Sequence, residues 1–386
     1  MDGQPGRKRP TPIHIFSYHY LLLPPILFAA LTGIVLFVHS DVNIALLYSQ
    51  CHSRSRVPWL SHIPLLGSPA CFLVSFFQEA LASARSFAAM ADILAFIGGL
   101  LTVNLVESAR IANGPSVLIA YPTGAWLVFN LIGGALVWEL VIIPAFFHRS
   151  KQILEAREAG REPDAEVTDT DPTFGAARRH LGVLAEVVAI PVAVSIGFIL
   201  PSLLMLILDS SVVIFVWLFF PIYVSVIRQA VRFAIVKLGT SSLGASLHLE
   251  SHRPSLLAMY AVPVVCSVLA HWLLIWSVFQ GDDRKEMTRA TGKFIEIDVF
   301  FIMITVLYWV FVEAGWKVAI VMMVVSILFG PGAGICVGWV YREGAFAPDS
   351  QTPASGLRAA AEEEAGESEA AAGGGAEPGE HTPLLR

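Results

Sequence analysis

Charge is scarce in this chain: 15% of its 386 residues are Asp, Glu, Lys or Arg, against 55% that are hydrophobic. A composition that apolar does not suit a soluble chain of this length and implies a multi-pass membrane protein. Cysteine is scarce too. Cys51, Cys71, Cys266 and Cys336 stand far apart, so no two have the spacing of a metal site or a redox motif, and they read as packing residues in the membrane. No basic patch is present, which excludes a nucleic-acid partner, and the net charge of -6 owes much to a polar tail. An internal repeat is also missing, whether inverted or parallel.

What the chain has is long apolar runs. They fall near 19–39, 63–82, 87–108, 116–147, 184–208, 211–236, 257–279, 297–314 and 317–341. The run at 63–82 carries Gln78 and Glu79, and the one at 297–314 is short and nearly touches the next. The expected fold is therefore all-α, a transmembrane helical bundle of eight or nine spans over residues 19–345. The first run, "HYLLLPPILFAALTGIVLFVHS", has no small-residue cleavage pattern after it and reads as a retained span.

Basic residues cluster at both ends of the polar linker 148–183, which places it in the cytosol by the positive-inside rule. Counting back puts the N-terminal segment 1–18, with "GRKRP", on the same side. "QGDDRKEMTRATGK" at 280–293 runs against that count, since it carries basic residues to the far face. Residues 346–386 are rich in Ala, Gly and Glu and are expected to be a disordered acidic tail. Its end, "EHTPLLR", sets Glu380 before Leu384 and Leu385 in the layout of an acidic dileucine signal. A sorting adaptor is thus an expected partner, and an endomembrane, the endoplasmic reticulum or the vacuole, the expected location.

Prolines interrupt nearly every run: Pro25, Pro122, Pro144, Pro191, Pro201, Pro221, Pro263 and Pro331. Each removes a backbone donor, so the helices kink and cavities open between them. Against this background Glu139, in "LIGGALVWELVIIPAFFHRS", stands out. A carboxylate at mid-bilayer costs about 2.5–3.5 kcal/mol on insertion scales. Gly133, Gly134 and Ala135 precede it and let another helix approach, so the carboxyl is expected to face protein. It serves either as an acid delivering a proton in a dry cavity or as a carboxyl hydrogen-bonded across a helix seam.

Other polar groups have two readings as well. Asn104, Glu107 and Arg110 in "NLVESAR" lie on adjoining helix faces, and Glu107 with Arg110 suits a salt bridge at the membrane surface. Ser75, Glu79, Ser83 and Ser86 make a polar stripe that lines a cavity or a helix seam. Trp309, Glu313 and Lys317 recur every four residues, the last two as an ion pair. His271 has no acid or second histidine at ligand spacing, which favours a structural hydrogen bond over a metal. Gly330, Gly334 and Gly338 give two GxxxG spacings, a helix-packing signal. Among the aromatics Tyr121, Trp126, Trp138, Trp217, Tyr223, Trp272, Trp276, Tyr308 and Trp309, several suit headgroup depth, but Trp138 lies mid-run beside Glu139. An aromatic face next to a buried acid stabilises a cation where water is excluded.

At "PTGAWLVFNLIGGALVWELVIIPAFF", "IGFILPSLLMLI" and "FVWLFFPIYVSVIRQ" the chain resembles the eight-span fungal membrane terpene cyclases of meroterpenoid pathways, the ascochlorin and ascofuranone type. The likeness runs from about 19 to 341 and rests on the layout of apolar segments with a Trp-Glu pair. It implies acid opening of an epoxidised prenyl chain on an aromatic, ring closure through a cation, an isoprenoid substrate arriving through membrane lipid, and no metal or organic cofactor. On that reading Glu139, Glu107 and Glu79 are the candidate acids, and Trp138, Tyr121, Trp126, Asn130 and Asn104 the candidate substrate-binding residues. The rival is a non-enzymatic membrane transporter or scaffold, against which stands the absence of visible repeats and of paired broken helices.

Overall fold

The computed structural model describes residues 11–39, 42, 47, 67–158, 180–238, 247–248 and 253–343. The chain divides into two units, Met1–Ala345 and Phe346–Arg386, and every described residue belongs to the first. The tail with its dileucine layout, "GRKRP", Cys51 and most of the 148–183 linker lie outside the described residues.

The architecture is a helical bundle. After a single helical turn at Pro12–Ile15 come α1 (Tyr18–His39), α2 (Gly67–Ala80) and α3 (Ala84–Ala109). A broken region follows, with α4 (Thr123–Ile132), α5 (Gly134–Val137), a π turn at Trp138–Ile142 and α6 (Ile143–Glu158). Next come α7 (Glu186–Val194), a second π turn at Ser195–Ile199 and α8 (Leu200–Leu208). Then come α9 (Ser211–Trp217), α10 (Phe220–Leu238), α11 (Arg253–Val278), α12 (Glu286–Ala314), α13 (Trp316–Phe329) and α14 (Pro331–Arg342). Two-residue strands β1 (His180–Leu181) and β2 (Leu247–His248) pair antiparallel beside them.

Among the described residues five helical runs are long and apolar enough to cross a membrane: Tyr18–Val38, Ala84–Ala109, Glu186–Leu208, Pro254–Val278 and Glu286–Ala314. Counting α9 and α10, which meet at a 57° bend, as one span makes six. This is a membrane protein, and α3 is its axis. Its most apolar stretch is 83% buried, whereas the other four reach 39% or less and turn much of their surface outward. Ser83 caps α3 by accepting from the Ser86 N–H at 3.2 Å, and Asp283 accepts from the N–H groups of Ala84 and Arg85 at 2.7 and 3.2 Å. Because α2 ends at Ala80, Ser75, Glu79, Ser83 and Ser86 do not share one helix, and the expected polar stripe is broken.

Two runs that hydropathy joins are folded back at glycines. At Gly133, with φ +121°, the chain reverses between α4 and α5. Trp126 and Trp138 then lie 6.2 Å apart between ring centroids, where one straight helix would separate them by about 18 Å. At Gly330, with φ +92°, α14 folds back on α13, so a β-carbon on Gly334 would sit 2.7 Å from the Met322 carbonyl oxygen. Residues 116–147 and 317–341 are thus not single straight spans. Each reversal needs a backbone conformation that side chains disfavour, hence glycine. The glycine spacing from Gly330 onward does serve packing. A β-carbon on Gly332 would lie 2.6 Å from the Ala95 oxygen, and one on Gly99 would lie 2.7 Å from the Gly332 oxygen, so α14 crosses α3 backbone to backbone.

Side chains from other helices meet the two new helix starts. Asp298 accepts from the N–H groups of Gly134 and Ala135 at 2.9 and 3.0 Å, and Ser267 accepts from Ala333 at 2.9 Å. The expected absence of paired broken helices is therefore corrected. The helix starts that a transporter would point at an ion are here occupied by protein groups. Both π turns precede a proline by two residues, Pro144 and Pro201. The wider turn accommodates a ring that has no N–H and crowds the carbonyl four residues back.

Further expectations change. Cys71 is disulfide-bonded, so not every cysteine is a packing residue, while Cys266 and Cys336 are free. His271 has an acid after all: its Nδ1 lies 3.6 Å from Asp92 of α3, and its Nε2 donates to the Ile327 carbonyl at 3.2 Å. Glu313 accepts from Ser150 at 2.7 Å, and the break at Gly315, φ +88°, takes Lys317 out of its helical register.

Candidate active site

Glu139 is fully buried and lies in the π turn, six residues past the Gly133 reversal. Thr32 of α1 donates to its Oε1 at 2.8 Å, and Thr305 of α12 reaches the same oxygen at 3.5 Å. Its Oε2 has no hydrogen-bond partner among the described residues. The small residues before it do what their size suggests, since Gly134 has no room for a β-carbon, which would meet Ile302 Cδ1 at 2.6 Å. The carboxyl therefore faces protein, meeting side chains from two other helices, α1 and α12.

Beside it runs an arc of four indoles. Trp126 packs edge-on to Trp138 at 6.2 Å, Trp138 lies 6.1 Å from Trp309, and Trp309 lies 4.5 Å from Trp339. All four are buried. The arc starts and ends on α3: Trp126 Nε1 donates to Asn104 Oδ1 at 3.1 Å, and Trp339 Nε1 donates to Glu107 Oε1 at 3.0 Å. The two middle indoles, Trp138 and Trp309, have no acceptor for Nε1–H among the described residues. A buried polar atom without a partner costs about 1–3 kcal/mol, so these two donors and Glu139 Oε2 are buried groups whose penalty a hydrogen-bonding ligand would relieve.

Glu107 is committed elsewhere. Its Oε1 meets Arg110 Nε and Arg342 Nη1, each at 2.9 Å, and its Oε2 accepts from Asn113 at 3.1 Å. Arg110 also pairs with Glu343, and the Arg342 guanidinium stacks 4.7 Å over Trp339. The expected Glu107–Arg110 salt bridge exists, but it is buried within a four-member charge network and not at an exposed surface. Glu79 accepts from Thr288 at 2.8 Å, and Thr288 precedes Thr305 on α12 by about 25 Å of helix. The three acids are not brought together.

The substrate-binding candidates also separate. Trp126, Trp138 and Asn104 belong to the arc. Tyr121 is 70% exposed, at an open cleft whose lining includes Trp126, Arg228 and Gln229. Asn130 donates to the Leu218 carbonyl at 2.9 Å, where it supports the bend between α9 and α10. Sequence reasoning missed Thr32, Asp298, Thr305 and Trp339. For α12 a signal existed: Asp298, Ile302, Thr305 and Trp309 follow at i, i+4, i+7 and i+11, one face of a helix. Among the described residues no group of three or more His, Cys, Asp or Glu is arranged to hold a metal ion.

Fold and site define a polytopic helical membrane protein with a buried carboxyl against an aromatic enclosure. The family model described as the CtvD domain matches residues 70–280, more than half of the chain, and the chain belongs to that family, one associated with meroterpenoid and terpene cyclase-type biosynthesis. The match includes Glu79, Glu107, Trp126, Trp138 and Glu139, and it leaves Thr32 and all of α12 to α14 outside. No curated protein and no solved structure matches the chain.

Proposed function

We propose that this protein is a membrane-bound terpene cyclase of the ascochlorin and ascofuranone type, with Glu139 as its acid. The observation that supports this reading is the Glu139 carboxyl, buried, held through one oxygen by two hydroxyls, with the other oxygen unpartnered among the described residues and the buried indole of Trp138 next to it in sequence. A lipophilic prenylated aromatic bearing a terminal epoxide enters from the bilayer. The proton of Glu139 passes to the epoxide oxygen, the C–O bond to the more substituted carbon breaks, and a chain alkene supplies the electron pair that closes the ring. The new cation lies against Trp138 and its neighbours, whose ring faces stabilise positive charge. Loss of a proton to the Glu139 carboxylate completes an isomerisation that uses neither a metal nor an organic cofactor.

Eight or nine membrane crossings and an endoplasmic reticulum or vacuolar location belong to the same reading, as does an adaptor at the tail. Shorter apolar helices would have to supply every crossing beyond the five long runs and the bent α9–α10 pair. The test is expression in yeast microsomes with a farnesylated phenol epoxide and product analysis. Glu139→Gln keeps shape and hydrogen bonding but lacks the acidic proton, so cyclised product should fall by about 10² to 10⁴ at unchanged folded yield. Wild-type turnover in that variant would remove Glu139 from the mechanism.

A further inference from the structure

We infer that Asp298 is a positioning residue that sets where the Glu139 carboxyl sits. This rests on the reading of Glu139 as the acid and adds to it a group outside the family match.

After the reversal at Gly133 the helix begins with free N–H groups that have no partner from the preceding turn. Asp298 takes two of them, those of Gly134 and Ala135, one on each carboxyl oxygen at 2.9 and 3.0 Å. A bidentate grip of this kind fixes both the position and the rotation of the helix start. Glu139 follows five residues after Gly134, so a small rotation there swings its carboxyl away from Thr32 and Thr305. Asp298 also lies close to the reversal itself, since a β-carbon on Gly133 would be in van der Waals contact with its Oδ1 at 3.4 Å. Its own helix carries the other fixed points on the same face. Ile302 fills the space over Gly134, Thr305 reaches Glu139 Oε1 at 3.5 Å, and Trp309 lies against Trp138. One face of α12 thus holds the start of the helix, the acid and the neighbouring indole, and Asp298 does so through two hydrogen bonds.

The test compares Asp298→Asn with wild type in purified, folded protein. Asparagine accepts one N–H but turns an NH2 toward the other, so the helix start must shift. Two readouts are taken. The infrared band of the Glu139 carboxyl, assigned by its loss in Glu139→Gln, should move in Asp298→Asn because its threonine bonds are disturbed. Turnover should fall tenfold or more in kcat with KM changed less than threefold. Asp298→Ser, whose hydroxyl can still cap, should return part of both and serves as the test variant should Asp298→Asn not fold. An unmoved carboxyl band would overturn the inference whatever the activity. A moved band that Asp298→Ser, equally uncharged, returns toward wild type, with unchanged kcat, would uphold the positioning role and instead remove Glu139 from the chemistry, so the two failures are told apart.

Discussion

Thr32 donates to Oε1 of Glu139 across 107 residues of sequence, at 2.8 Å and out of contact with solvent. The bond joins α1, whose apolar stretch is only 28% buried, to the centre of the bundle. Oε2 is the oxygen with no hydrogen-bond partner among the described residues. Thr32→Val preserves the branched shape and removes the hydroxyl, so Oε1 keeps only the longer contact from Thr305. One hydrogen bond of this kind contributes about 1–1.5 kcal/mol, which predicts a kcat lower by about tenfold with little change in KM. Microsomal product formation per folded molecule measures it, and an unchanged kcat would show that this bond does not orient the acid.

Trp138 lies between Trp126 and Trp309 in the indole arc, with no exposed surface. Replacement by leucine keeps some apolar volume but removes the ring face. Chain products quenched before ring closure should increase relative to cyclised product, and more so than total turnover falls. Chromatography of the product mixture reads this ratio. A lower folded yield with an unaltered ratio would reduce Trp138 to a packing role.

The parts of this arrangement that the sequence disclosed are those that depend on local chemistry. Long apolar runs announced a membrane bundle, and Glu139 was visible because one carboxyl in such a run needs a reason. The reversals at Gly133 and Gly330 were hidden, because a hydropathy average over 116–147 or 317–341 is the same whether the chain runs straight or doubles back. Only the glycines hinted at it. Thr32 was hidden for another reason, and Asp298 and Thr305 were legible only as members of one helix face: what a hydroxyl or carboxyl among apolar residues does becomes clear only when the opposite helix is known. Asp92 and His271 illustrate the same point, since each looks solitary on its own helix and they meet only when α3 packs on α11.

Outside the spans, Asp283 caps α3, and accepting the Ala84 N–H is the chief cause that holds its carboxyl below the ordinary value of 3.8. A carboxyl whose folded pKa is depressed contributes stability that is present above the unfolded value and is lost as pH falls through the folded one. Thermal stability in detergent should therefore decline as pH drops below about 4. In Asp283→Asn that part of the decline should be smaller, with slightly lower stability at neutral pH. Identical pH profiles for the two proteins would show that this cap does not contribute to holding the start of α3.

Glu107 offers the sharpest contrast with Glu139, because both are buried acids on the same aromatic arc and they are bonded in opposite ways. Glu107 is tied to Arg110, Arg342, Asn113 and Trp339, so its charge answers two guanidiniums and its geometry is fixed from several sides. Breaking a buried pair by removing one partner typically costs about 3–5 kcal/mol, since the remaining charge is left in a medium that does not solvate it. Glu107→Gln leaves Arg110 with Glu343 but leaves the network one negative charge short, and it loosens the contact between the end of α3 and α14. The expected result is a marked loss of folded yield and a lower melting temperature in detergent, with the surviving molecules turning over at a rate within a few-fold of wild type. Glu139→Gln should show the reverse pattern, normal stability with little product. A stable Glu107→Gln protein that makes no product would exchange the two assignments and place the proton donor on α3.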